Sequence, residues 1–265
     1  MMTLKARLHL RTGAAVAARR YWEIDALRGV AIVMMILYHF LFDLQHFGGY
    51  DIRVRSGFWN TFADATAFLF VFLVGLSLSV SYSRALAGRT GAGFRGFPKF
   101  LRRGAQIFGY GLLITVVTWF IDSQQYIRFG ILHLIGLSII LAYPLIRYRA
   151  LNAVVGLGLI VAGFHLQQHH HAFGYPWLYW VGFIPETPIV FDYRPLLPWF
   201  GAVLVGIAVG NWLYPKSQRA VSIPDLSKVA GIGFLAQIGR RSLAIYLVHQ
   251  PLLLAALILL GIAEL

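Results

Sequence analysis

Residues 34–44 read MMILYHFLFDL, a histidine and an aspartate set among side chains apolar enough for the interior of a lipid bilayer. His39 and Asp43 are four residues apart, the spacing that places side chains one turn above another on a helix. A carboxylate so placed orients an imidazole and raises its basicity, as general acid–base work requires. Asp25, Arg28, Ile32, Met35, His39, Asp43 and His46 recur at steps of three and four, so they share one helix face. Arg28 and His39 are separated by almost three whole turns and lie nearly in line. An ionisable stripe on an apolar helix faces a protein interior or a wet cavity, because lipid contact costs kilocalories per charge. Proton transfer inside a membrane is the chemistry this stripe predicts.

Other ionisable groups recur in comparable settings. FWNTFADATAF carries Asp64, IRFGILHLIGLS carries His133, and FDYRPLLPWFG carries Asp192 and Arg194. GRRSLAIYLVHQPLLL brings Tyr246, His249 and Gln250 into an apolar run. Each has a structural reading beside the chemical one: Asp25 with Arg28, and Asp192 with Arg194, are spaced to pair locally. Gly75 and Ser79 suit close helix packing. His169, His170 and His171 are metal-ligand types, but no carboxylate or further ligand stands at a telling spacing, so no metal is expected.

The elements that must position these groups follow from composition. Of 265 residues, 58% are hydrophobic and 12% charged, and mean hydropathy is +0.69; a soluble domain has about a quarter of its residues charged. Apolar stretches at about 27–46, 57–82, 104–121, 129–146, 150–166, 196–214 and 242–262 approach the length that crosses a bilayer. The expected fold is an all-α, polytopic transmembrane helix bundle of about seven spans. The spans at 129–146 and 150–166 are close enough to form a tight hairpin. A basic tail, 1–20, precedes a single domain, 21–265, undivided by any repeat or low-complexity linker. The first twenty residues lack a sustained apolar core, so the first span is expected to serve as an uncleaved anchor. The chain has no cysteine, which excludes a disulfide framework, a thiolate metal site and a cysteine nucleophile.

With the N-terminus in the cytoplasm, the tail, the 83–103 loop, Arg147, Arg149, Lys216, Arg219, Lys228, Arg240 and Arg241 fall inside. Only Arg53, Arg55, Arg128 and Arg194 fall outside, together with the aromatic segment 167–195. Such an asymmetry predicts N-in and C-out. It also explains an excess of 23 Lys+Arg over 10 Asp+Glu by topology and attraction to anionic lipid, without nucleic acid.

EIDALRGVAIVMMILYHFLFDL, FWNTFADATAFLFVFLVG, FGILHLIGLS, DYRPLLPWFG and IGRRSLAIYLVHQPLLL, in this order and spacing, resemble the bacterial relatives of heparan-α-glucosaminide N-acetyltransferase. That family lies within a broader transmembrane acyltransferase superfamily, and the resemblance runs from about residue 21 to 260. It implies a multi-helix enzyme of the bacterial cell membrane that moves an acetyl group from cytosolic acetyl-CoA to an amine or hydroxyl outside. The family's D-x-x-R-G opening matches Asp25, Arg28 and Gly29, and its second-span aspartate matches Asp64. The catalytic asparagine of the lysosomal enzyme falls opposite His39. The histidine that follows it there has no clear counterpart, since Val54 or Ser56 occupies the position; its role passes to His39 or His133, or is absent. The lysosomal enzyme's luminal extension is missing, so heparan itself is not the expected substrate.

The residues expected to carry catalysis are therefore His39, Asp43, Asp64 and His133. Arg28, Arg240, Arg241 and His249 are expected to hold the acyl-CoA donor, the arginines through its phosphates. Expected partners are membrane lipids, a small-molecule or glycan acceptor and, for assembly, a second copy of the chain in a homodimer. Two readings from other classes stand beside the enzyme: a proton-coupled transporter or flippase using the buried His and Asp, and a structural subunit whose stripe binds a partner helix. Bound CoA favours the first; ion-coupled uptake in vesicles favours the transporter.

Overall fold

The computed structural model describes residues 20–87, 96–168, 176–183 and 192–263. Most of the basic tail, Arg89 and Arg95 of the 83–103 loop, and His169, His170 and His171 lie outside the described residues. Eight α-helices are described: α1 Trp22–His46, α2 Gly57–Ala87, α3 Phe97–Ile121, α4 Ile131–Ala142, α5 Arg149–Gln168, α6 Leu196–Leu213, α7 Ala230–Arg240 and α8 Ser242–Leu259. No strand is present among the described residues. Six helices (α1, α2, α3, α5, α6 and α8) are long and apolar enough to span a bilayer, as at least about 18 residues at 1.5 Å rise allow.

Two elements differ from the sequence expectation. The span expected at 129–146 is a shorter helix, α4, extended by a 3-10 turn at Tyr143–Leu145 where Pro144 breaks the regular hydrogen-bonding. The stretch before the last span, expected as loop, contains α7, whose glycine-rich sequence hides a short amphipathic helix. The expected hairpin is not formed either: α4 packs on α3 while α5 packs on α6. Asn152 fixes the turn between them by donating to the carbonyls of Leu145 and Tyr148, each at 2.7 Å.

By its contacts the chain falls into two compact units. One comprises Arg20–Leu73 and the residues from Ile223 onward, hence α1, the first part of α2, α7 and α8. Here α1 and α7 meet backbone to backbone. A Cβ at Gly29 would land on the carbonyl oxygen of Leu235, and one at Gly239 on that of Asp25. Only glycine permits such an approach, which gives dispersion contact between helices that lipid cannot drive together by the hydrophobic effect.

The other unit includes Val74–Ser222, hence the rest of α2 and α3 to α6. Gly75 and Ser79 sit at the α2–α6 contact, where a Cβ on Gly75 would strike the Val203 carbonyl and one on Gly210 the Ser79 hydroxyl. Their spacing serves packing, as the sequence suggested.

Candidate functional site: a histidine pair between the first and last helices

In the first unit, the ionisable stripe of α1 meets α8. His39 Nδ1 lies 2.9 Å from the carbonyl oxygen of Met35, and His249 Nδ1 lies 2.6 Å from that of Tyr246. A carbonyl only accepts, so both rings donate through Nδ1–H, and in the neutral rings Nε2 carries the lone pair. The rings meet edge to face, with centroids 4.8 Å apart and planes at 81°. His249 is 8% exposed, while His39 is half-buried. Two imidazoles are thus held by backbone of their own helices, each with its basic nitrogen opposite the tethered one.

Asp43 takes a different partner from the one expected. Gln250 Nε2 on α8 donates to its Oδ1 at 2.6 Å, while His39 is tethered by the Met35 carbonyl. The expected i,i+4 bond between Asp43 and His39 is therefore replaced by two others. The reason is local: the carbonyl four residues back is always within reach of a helical histidine, and an amide from α8 suits an enclosed carboxyl oxygen. Asp64 is half-buried on α2 in the same unit.

Toward the start of α1 lies a group of charges. Arg28 pairs with Asp25 at 3.0 Å, the local ion pair their spacing predicted. Arg28, Arg20 and Arg240 are the cations whose fields reach the Asp25 carboxylate. Arg240 and Arg241 are exposed at the break between α7 and α8, and Arg240 Nε donates to the Ala236 carbonyl at 3.2 Å. Gly239 brings that break against Asp25. His249, also expected to hold the donor, stands with His39, about 16 Å along α1 from Arg28 at 1.5 Å per residue.

His133, in the second unit, is built differently. The backbone N–H of Gly130 donates to its Nδ1 at 3.2 Å, which leaves the ring proton on Nε2. Nε2 lies 3.4 Å from Thr115 Oγ1, whose own proton goes to the Ile127 carbonyl at 2.7 Å. The ring is 2% exposed, stacked on Phe129 and edge-on to Phe108. Asp192 Oδ2 accepts from the next amide, Ile131 N–H, at 3.2 Å. Together they satisfy two of the amides that a helix N-terminus leaves unpaired. Asp192 does this from the left-handed region (φ 50°), which aspartate tolerates better than most residues.

The Arg194 guanidinium lies 4.7 Å over the Trp199 ring. Beside it, Tyr193 donates to the Tyr179 carbonyl at 2.6 Å with the two rings 4.3 Å apart. Burial pushes the Tyr179 phenol up to about 12, partly offset by Arg128, and raises Tyr193 as well, with Tyr179 adding to the effect.

Sequence reasoning missed Gln250 as the partner of Asp43 and Thr115 as the partner of His133. The first pair is 207 residues apart along the chain, and no local spacing announces it. His169, His170 and His171, metal-ligand types at which no metal was expected, lie outside the described residues, and among the described residues no group of three or more His, Asp or Glu that could hold a metal ion is gathered.

Membrane-length apolar helices with imidazoles and carboxylic groups turned to helix–helix contacts define a polytopic membrane protein with acid–base groups in its interior. The chain belongs to the heparan-alpha-glucosaminide N-acetyltransferase catalytic-domain family, which matches residues 20–251. No curated protein and no solved structure matches it. Membership makes it a relative of membrane acetyltransferases, a family whose donor is acetyl-CoA.

Proposed function

We propose that this protein transfers an acyl group, most simply acetyl, from acyl-CoA on the cytoplasmic side to an amine or hydroxyl of a sugar-like acceptor on the other. The observation that carries the reading is the His39–His249 pair: two tethered imidazoles, each with its basic nitrogen at Nε2, in a chain of a membrane acetyltransferase family. Orientation rests on the distribution of basic residues, which assigns the Arg28, Arg240 and Arg241 end to the cytoplasm. Arg240 and Arg241, exposed at the helix break, suit phosphates, whereas Arg28 is already paired with Asp25 and organises the end of α1.

In this reading Nε2 of His39 accepts the proton of the acceptor's N–H or O–H as that atom bonds to the acyl carbon. The carbon–sulfur bond breaks, and the proton held on the imidazole passes to the departing thiolate, so CoA leaves as the thiol. His249, edge-on to His39, supports the imidazolium through its own tethered ring. A general base so placed contributes about 10²–10⁴-fold in rate. The test is transfer of labelled acetyl from acetyl-CoA, supplied on the cytoplasmic side of sealed vesicles, to a panel of amino sugars and sugar alcohols supplied on the other. Labelled product that depends on His39 is expected. Solute uptake coupled to protons, with no CoA binding, would replace this reading by the transporter.

A further inference from the structure

Gln250 has no part in the proton transfer above, yet its contact with Asp43 leaves an imbalance. One hydrogen bond joins the side chains, from Gln250 Nε2 to Asp43 Oδ1 at 2.6 Å. The atom left over on each residue, Asp43 Oδ2 and Gln250 Oε1, is a buried oxygen with no hydrogen-bond partner among the described residues. Asp43 is fully enclosed, at 0% exposure. As a carboxylate it would hold charge on an enclosed oxygen that nothing donates to, among the costliest arrangements in a protein interior. Among the described residues, no ionisable group of the unit is hydrogen-bonded to it. His39 and His249 donate Nδ1–H to Met35 and Tyr246, Arg28 pairs with Asp25, and Arg240 bonds to Ala236.

A single proton resolves both orphans. On Oδ2 it turns one surplus acceptor into a donor, and the acceptor it needs belongs to the residue Asp43 already touches. Acid and amide then close a ring of two hydrogen bonds, Gln250 Nε2–H to Oδ1 and Asp43 Oδ2–H to Oε1. We infer that Asp43 is held as a neutral carboxylic acid clasped by Gln250, and that Gln250 is a positioning residue which fixes α8 against α1 and sets the contact of His39 with His249. The clasp belongs to the folded chain; only its effect on turnover rests on the acyl-transfer reading.

Asp43→Asn keeps the ring, with Nδ2–H in place of Oδ2–H, whereas Gln250→Leu removes both bonds. Infrared difference spectra of purified wild-type and Asp43→Asn protein at neutral pH read the carbonyl stretch of a protonated carboxyl without any activity. The wild type is expected to show such a band and Asp43→Asn to lose it, while keeping the wild-type unfolding midpoint. Gln250→Leu is expected to lower kcat roughly 10²-fold, the scale of an ångström of misplacement, at unchanged KM for the donor. Absence of the band in the wild type, or an Asp43→Asn protein as destabilised as Gln250→Leu or unable to fold, shows a charged Asp43 and overturns the clasp. A normal kcat in folded Gln250→Leu overturns the positioning role. Should no variant or wild type transfer acyl groups, the infrared result still decides the clasp, and the acyl-transfer reading is what fails.

Discussion

The His39–His249 pair and His133 are imidazoles on apolar helices, bonded in opposite senses. In the pair, each Nδ1 faces a carbonyl and must carry the proton, so Nε2 is the basic atom. At His133, Nδ1 faces the Gly130 amide and must be the acceptor, so the basic atom is occupied by the backbone. The difference lies in position along the helix. His39 and His249 sit well inside their helices, where the carbonyls of the preceding turn are what a ring can reach. His133 sits three residues after Gly130, at a helix start where amides lack partners. Residue type and apolar sequence setting are alike; what the neighbouring backbone offers decides whether a histidine can act as a base or serves as a cap.

The largest effect expected of this contrast is kinetic. His39→Ala should lower acyl transfer about 10²–10⁴-fold in protein that remains folded; a rate close to wild type in folded protein would return the pair to a packing role. His133→Ala should act on stability instead, costing about 3 kcal/mol through the lost cap and the space left by the ring. Chemical denaturation of the solubilised protein reads this, and turnover per folded molecule should hold. A variant as stable as wild type but inactive would transfer the base to His133. A smaller effect tests the charged end: Arg240→Gln with Arg241→Gln should weaken CoA binding roughly tenfold, as loss of charge-assisted hydrogen bonds does. Calorimetry showing unchanged affinity would remove both from the donor site. Smallest is Asp192→Ala, which should cost about 1 kcal/mol as a lost helix cap and leave turnover untouched. A large kinetic loss there would mean that the capping region takes part in the reaction.

Much of the fold was legible because a bilayer imposes length. The runs near 27–46, 57–82 and 196–214 announced α1, α2 and α6 by apolar content alone. α4 was read as longer than it is, because the apolar character of 129–146 continues through Pro144 into a 3-10 turn. α7 was missed because its eleven residues are too few to register against the loop around them. At the site, His39, Asp43 and His249 stood out as ionisable residues in apolar sequence, and the local pairing of Asp25 with Arg28 followed from spacing. The exchange of partners at Asp43 did not, since it depends on which residue of α8 arrives opposite it. Nor could the sequence distinguish His39 from His133: both lie in apolar runs, and only the hydrogen bond at Nδ1 separates them.

That hydrogen bond is directly measurable. Nitrogen-15 magnetic resonance of the histidine-labelled protein, with each signal assigned by single substitution, reports which ring nitrogen carries the proton in the neutral state. Nδ1–H rings at His39 and His249 and an Nε2–H ring at His133 are the result expected from the structure. An Nε2–H ring at His39, or an Nδ1–H ring at His133, would contradict the assignment of base and cap on which the proposed reaction depends.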